Sequence, residues 1–92
     1  MSSASNNKKL LGNWVSKTIP FSYPFTKVWS RFDSAGQEVF RIIENNGIDN
    51  CECIFLPENE RVILSSVNKA KIWCDIKAIE KNFVVKNLFK VL

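Results

Sequence analysis

Three cysteines are the first residues of this chain whose chemistry needs an explanation. Cys51 and Cys53 are separated by a single residue, which places both thiols on the same face of a strand, and Cys74 stands apart. A structural zinc site takes four ligands, usually at wider spacing, and the chain contains no histidine to complete the set. An odd number of cysteines suits a reducing compartment better than a disulfide framework. We therefore expect free thiols, no metal and a cytoplasmic location.

The sequence also lacks the usual catalytic motifs. The absence of histidine removes Ser-His-Asp and Cys-His nucleophilic catalysis. The three glycines form neither of the common phosphate-binding loops. Acidic pairs suited to proton transfer are limited to Glu58 with Glu60 and Glu44 with Asp49, and both pairs fall in predicted turns, where acids mainly hydrate the surface. The sequence thus predicts a protein that is not an enzyme and uses no cofactor.

The net charge of +4 arises near the end of the chain. Residues 69–92 contain six lysines and two acids, whereas basic and acidic residues balance in residues 1–68. Outward-facing lysines keep the edge of a sheet soluble and unpaired. The same lysines would also attract phosphate groups or an acidic partner.

Short apolar segments separated by turn residues predict an antiparallel order of strands. The predicted strands cover residues 10–19, 26–33, 37–45, 51–56, 61–66, 71–79 and 83–92. No segment is long enough for a crossover helix between parallel strands. We therefore expect an all-β fold, a small antiparallel up-and-down meander barrel of about seven strands. It would form a single domain over residues 10–92, after a disordered N-terminal tail over residues 1–9.

The segment around residues 35–45 has a second interpretation. Ser34 and Gln37 have the spacing of a helix capping box, and Gly47 would lie near the end of such a helix. Val39 and Ile43 also have helical spacing. The alternative fold is therefore α+β with a helix near residues 35–45.

The segment 71–79 alternates between apolar and polar residues. As a strand, it would direct Ile72, Cys74, Ile76 and Ala78 inward. Trp73 would then fall on the outward face, together with Lys71, Asp75 and Lys77.

Gly12-Asn13-Trp14 stands where the folded region begins, directly before the predicted meander. A G-x-W in this place resembles the opening of lipocalin-like (calycin) β-barrels. The resemblance implies that Gly12 and Trp14 are structural and that Trp14 closes one end of a barrel. It further implies that a basic residue from the last strand, here Lys86 or Lys90, packs on Trp14.

A barrel of this size would be filled by its own side chains, so we expect a binding surface outside it. The aromatic segment over residues 20–25 would lie across one end. The sequence therefore predicts a non-enzymatic protein-binding module, an inhibitor or accessory factor. Its partner-binding residues would be Phe21, Tyr23, Phe25, Trp29 and Arg31.

The alternative function is binding of single-stranded nucleic acid by a basic sheet face with one aromatic residue for stacking. The residues of that face would be Lys71, Trp73, Lys77, Lys86 and Lys90. A third possibility is a subunit of a larger assembly in which Trp29 and Trp73 form the interface. No apolar segment reaches the ~20 residues of a membrane span, so no membrane association is expected.

Overall fold

Five consecutive antiparallel strands form the sheet around which the chain is organised. The structure is a computed structural model and describes residues 10–19, 26–45 and 50–85. The sheet has the order β2–β3–β4–β5–β6, so each strand pairs with its neighbours in sequence. Its strands are β2 (Val15–Ile19), β3 (Thr26–Phe32), β4 (Glu38–Asn45), β5 (Cys51–Phe55) and β6 (Glu60–Leu64).

Register divides the side chains of the sheet between two faces. One face carries a row that runs across β3 to β6, in which Trp29 pairs with Ile42, Ile42 with Cys53 and Cys53 with Val62. Because successive side chains of a strand point to opposite faces, the residues between them belong to the other face. The register shifts between Arg31 and Phe32, which leaves Val39 as an extra residue in β4.

A single helix, α1 (Val67–Glu80), packs across the first of these faces. The hydroxyl of Ser66 caps its N-terminus by accepting a hydrogen bond from the Lys69 amide at 3.1 Å. Small buried residues recur every fourth position on its underside, which lets the helix approach the sheet closely. These residues are Ala70, Cys74 and Ala78.

The end of α1 is closed by a Schellman motif. Asn82 adopts a left-handed conformation with φ of 65°. Its amide donates to the Ile79 carbonyl at 3.1 Å, and the Phe83 amide donates to the Ala78 carbonyl at 2.9 Å. The ring of Phe83 then packs edge-on against Phe55, with centroids 6.4 Å apart. This cap therefore also ties the exit of the helix to the sheet.

Two short strands join the ends of the described chain. β1 (Leu10–Leu11) pairs in parallel with β7 (Val84–Val85). Leu11 is fully buried in the same core as the underside of α1 and also bridges to Asp33. The core therefore lies between the sheet and α1, and β1 with β7 complete one of its edges.

Several predicted elements differ from the structure. The predicted strand over 71–79 is wrong, because those residues lie within α1. The predicted strand over 37–45 is confirmed by β4, and the alternative helix near 35–45 is wrong. The predicted first strand, 10–19, is divided into β1 and β2 by residues 12–14.

The described residues are mostly β, with one α-helix and one short 3-10 helix, Leu56–Glu58, rather than all-β. In the described residues the two edge strands, β2 and β6, do not pair with each other. The sheet is therefore open, and the expected barrel is not observed. The predicted tail over 1–9 and the aromatic segment over 20–25 lie outside the described residues, as do residues 46–49 and 86–92. The α1 helix is neither long nor apolar enough to cross a membrane, and the described residues contain no other candidate.

Candidate functional site

The face of the sheet opposite α1 is the candidate functional site, and we call it the open face. In the described part of the chain no helix packs on it. Strand register and the lining of a shallow groove define its members. These are Val15, Lys17, Ile19, Val28, Ser30, Phe32, Glu38, Arg41, Ile43, Glu52, Ile54, Arg61 and Ile63.

Several large apolar side chains of the open face are exposed to solvent. Ile63 is 63% exposed, Val15 is 54% exposed and Phe32 is 39% exposed. Between them, Val28 and Ile43 pair across β3 and β4 and line a groove of about 350 Å³. Most apolar side chains of this face are therefore at least partly exposed to solvent.

Two ion pairs lie among the apolar residues of the open face. Arg41 donates hydrogen bonds to both carboxylate oxygens of Glu38, with Nε–Oε2 at 3.0 Å and Nη2–Oε1 at 2.6 Å. This hydrogen bonding, more than any other cause, holds the pKa of Glu38 below its usual range. Arg61 pairs with Glu52 at 3.1 Å. Four of the five charged side chains of the open face thus form these two ion pairs.

Lys17 is the fifth charge. No carboxylate of the described residues lies within ion-pairing distance of its ammonium group. Lys17 stands on the edge strand β2 and lines the groove beside Val28. The open face therefore combines an apolar groove with one positive charge that forms no ion pair within the described residues.

The opposite face contains a buried ionic cluster, which we call the Arg31 cluster. Arg31 on β3 is fully buried and its Nη1 donates to Asp75 Oδ1 of α1 at 2.8 Å. Its Nε donates to the Gly12 carbonyl at 2.7 Å, and the guanidinium lies 5.5 Å from the ring centroid of Trp14. One side chain thus links the sheet, the helix and the 12–14 segment, which is a structural role.

A second group on this side, the Trp29 cluster, joins Trp29 to Lys27, Glu44 and Lys71. The indole N–H donates to Glu44 at 3.2 Å, while the ammonium groups of Lys27 and Lys71 lie 4.6 and 3.9 Å from the ring centroid. Burial, followed by the nearby charges of Lys27 and Arg31, lowers the pKa of Lys71. The two ammonium groups therefore lie over the Trp29 ring, and Glu44 compensates part of their positive charge.

Of the predicted partner-binding residues, the structure describes Trp29 and Arg31, and neither lies on an exposed surface. Arg31 is buried rather than outward-facing, because β3 directs it against α1 and Asp75 neutralises it. Trp29 is half-buried and packs against the core. Phe21, Tyr23 and Phe25 lie outside the described residues.

The predicted nucleic-acid-binding residues do not form a sheet face. Lys71, Trp73 and Lys77 lie on α1, and Trp73 packs against the core instead of pointing outward. Lys77 pairs with Glu60 at 2.9 Å. Lys86 and Lys90 lie outside the described residues.

Gly12 and Trp14, which are predicted to be structural, both contact the basic side chain of Arg31 on β3. Trp14 packs against the core beside Arg31, and its buried indole Nε1 has no hydrogen-bond acceptor. Gly12 donates its amide to the Phe32 carbonyl at 3.0 Å. A Cβ at Gly12 would meet that oxygen at 3.7 Å, an ordinary contact, so available space does not demand glycine there.

The acidic side chains of the described ranges have structural partners. Glu58 and Glu60, considered above as an acidic pair, each form an ion pair with a different lysine. Glu58 binds Lys81 at 2.8 Å and Glu60 binds Lys77. Asp33 accepts hydrogen bonds from the amides of residues 35 and 37. No cluster of three or more possible metal ligands occurs among the described residues.

Sequence reasoning missed the open face as a site. Alternation within β2 and β6 was the available signal, because it directs Val15 and Ile63 away from the core. The sequence alone does not tell which face of the sheet a helix will cover.

Comparison with known proteins adds no identification: no family model, no curated protein and no solved structure matches this chain. The lipocalin-like resemblance of residues 12–14 therefore stays a prediction.

Proposed function

We propose that this chain is a non-enzymatic protein-binding module whose contact surface is the open face. The observation that carries the proposal is the exposure of Val15, Phe32 and Ile63 on a sheet face that no described helix covers. Ion pairs of the same face lie between these side chains, and an exposed apolar surface of this kind can mark a contact site. Aromatic and aliphatic side chains at the centre of an interface supply most of its binding energy.

The charges of the open face indicate the chemistry of the partner. Glu38 with Arg41 and Glu52 with Arg61 are already matched, so they add little attraction. Lys17, which forms no ion pair within the described residues, lies beside the apolar groove. The expected partner is a different protein that presents an apolar surface and a carboxylate positioned opposite Lys17.

Binding is favoured over catalysis because the described acids are already engaged. Asp75, Glu38 and Glu60 each form an ion pair with a basic side chain. A general acid or base has to exchange protons with a substrate, and these carboxylates are committed to structural contacts. The chain also contains no histidine.

Protein binding is likewise favoured over binding of single-stranded nucleic acid. Such binding usually uses several exposed aromatic side chains for stacking, and Phe32 is the one aromatic residue among the exposed large apolar side chains of the described chain. The ring of Trp29 is occupied by Lys27 and Lys71, and Trp73 packs into the core. Lys77 is already paired with Glu60.

Site-specific photocross-linking tests this proposal. A photoreactive phenylalanine analogue is placed at Ile63 on the open face or, as a matched control, at Ile79, which is 57% exposed on α1. Each variant is irradiated in a nuclease-treated lysate of the cells that express the chain. We expect a protein partner that cross-links from position 63 and not from position 79.

The purified partner then tests the chemistry. Lys17→Glu should weaken its affinity at least about tenfold, equivalent to about 1.4 kcal/mol. Lys69→Glu, at an exposed position of α1, should leave the affinity unchanged. Equal cross-linking from both positions, cross-links only to a second copy of this chain, or a complex destroyed by nuclease would each contradict the proposal.

A further inference from the structure

Cys53 and Cys74 face each other across the main packing interface of the molecule. Cys53 lies at the centre of β5 and Cys74 in the middle of α1, and both are fully buried. The small side chains of Ala70 and Ala78, one turn before and one turn after Cys74, allow the helix to approach β5 closely. Both thiols lie in the same buried core cluster, close enough for each to shift the pKa of the other.

The contact makes the two thiols chemically different. Cys74 acts as the donor, so its hydrogen bond to Cys53, together with burial, strongly raises the pKa of Cys74. The same hydrogen bond lowers the pKa of Cys53 by stabilising its thiolate. The thiolate is the reactive form of cysteine, so a lowered pKa favours Cys53 as the attacking thiol.

Cys51 is a poor partner for Cys53, although it is closer in sequence. Residues two apart in a strand have Cα atoms roughly 6.6 Å apart, and their side chains point the same way. A disulfide needs side chains directed toward each other, with Cβ atoms about 3.5–4.5 Å apart. Cys74 approaches Cys53 from the opposite layer and meets the first condition.

We propose that Cys53 and Cys74 are a modification site at which a hydroperoxide forms an intramolecular disulfide. The Cys53 thiolate attacks the O–O bond, which yields a sulfenic acid and releases an alcohol, or water when hydrogen peroxide is the oxidant. The Cys74 sulfur then displaces the sulfenic oxygen, an S–S bond forms, and water leaves with the Cys74 proton. The oxidant gains the two electrons that the thiols lose.

The disulfide would join α1 covalently to the middle of the sheet. Burial of both thiols means that the oxidant has to enter through transient opening of the helix–sheet interface. Oxidation should therefore be slow in native buffer and accelerate in a low concentration of urea.

The experiment treats the full chain with hydrogen peroxide, blocks remaining thiols with N-ethylmaleimide in denaturant and digests it with an endopeptidase that cleaves after glutamate. Cleavage after Glu52 separates Cys51 from Cys53. We expect a linked peptide pair that contains Cys53 and Cys74, a blocked Cys51, and complete reversal by dithiothreitol.

Cysteine variants provide the controls. Cys51→Ser should form the same disulfide, whereas Cys53→Ser and Cys74→Ser should form no intramolecular disulfide. Three blocked thiols after peroxide treatment, a link that involves Cys51, or sulfinic acid at Cys53 without a disulfide would overturn the proposal. Far-ultraviolet circular dichroism of each variant verifies that it is folded before oxidation.

Discussion

At the scale of single residues, Arg31 connects three parts of the chain: the sheet, α1 and the segment 12–14. Its guanidinium is fully buried and contacts Asp75, the Gly12 carbonyl and the ring of Trp14. A buried cation is tolerated only when its charge and its hydrogen bonds are satisfied. Arg31 is therefore expected to depend on Asp75 more than on any other side chain.

Replacing Asp75 with alanine should destabilise the protein by about 3–5 kcal/mol, because it removes the carboxylate that pairs with the buried Arg31 guanidinium. Urea unfolding followed by tryptophan fluorescence measures the effect. The double variant Arg31→Met with Asp75→Leu removes both charges and should recover much of the loss. A loss below about 1 kcal/mol in Asp75→Ala would show that water reaches the cluster.

Glu38 provides a pH-dependent test at the same scale. Its pKa in the folded protein lies below the ordinary 4.5, with the hydrogen bond from Arg41 as the largest cause and Lys17 as the smallest. The unfolded state binds more protons in acid, so this pair stabilises the fold above pH 4.5 and loses its effect as the pH falls through the folded pKa.

Carboxyl chemical shifts followed by NMR titration should therefore show a higher pKa of Glu38 in Arg41→Gln than in the wild type. Lys17→Gln removes the weaker cause and should raise the pKa of Glu38 by less. An equal rise in the two variants would mean that unspecific charge, rather than the two hydrogen bonds from Arg41, sets this pKa.

At the scale of elements, α1 shows where sequence reasoning fails. Segment 71–79 alternates like a strand, but its buried positions, Ala70, Cys74 and Ala78, repeat every four residues. These residues are too small to dominate an apolar pattern, and exposed Ile76 and Ile79 obscure it further. A sequence signal for this helix is Ser66, a residue type favoured at the N-cap position that it occupies.

Substituting Ser66 with alanine should destabilise the fold by about 1 kcal/mol, because the Lys69 amide loses its acceptor. Ser65→Ala is the matched control, since Ser65 is exposed and precedes the cap by one residue. Urea unfolding monitored by circular dichroism distinguishes the two variants. Equal stabilities would show that the hydroxyl of Ser66 contributes nothing to the start of α1.

The strands β3 to β6 are predicted nearly at their observed bounds, and the physical reason is local. They are rich in β-branched and aromatic residues, and turn residues such as Gly36, with φ of 84°, separate them. The candidate site could not be predicted in the same way. It depends on which face α1 covers, and that choice follows from long-range contacts such as Arg31 with Asp75.

At the scale of the whole molecule, one helix covers only part of a five-stranded sheet. The α1 helix packs on β4, β5 and β6, whereas the residues of β2 from Val15 to Thr18 are exposed on both faces. β2 also has a single neighbour in the described sheet, so the molecule has a well-packed side and a thinly packed side. Lys17, the charge proposed to meet the partner, stands on the thinly packed side.

This asymmetry predicts an ordered pattern of amide hydrogen exchange. Amides of β4 and β5 are hydrogen-bonded within the sheet and lie beneath α1, so they should exchange only through the largest opening of the molecule. Amides of β2 that bond to β3 should exchange much faster, because few buried contacts oppose local opening of that edge. Exchange measured by NMR in native buffer provides the comparison. Protection of β2 equal to that of β4 would mean that the edge is held as firmly as the centre, and that binding at Lys17 needs no ordering of its strand.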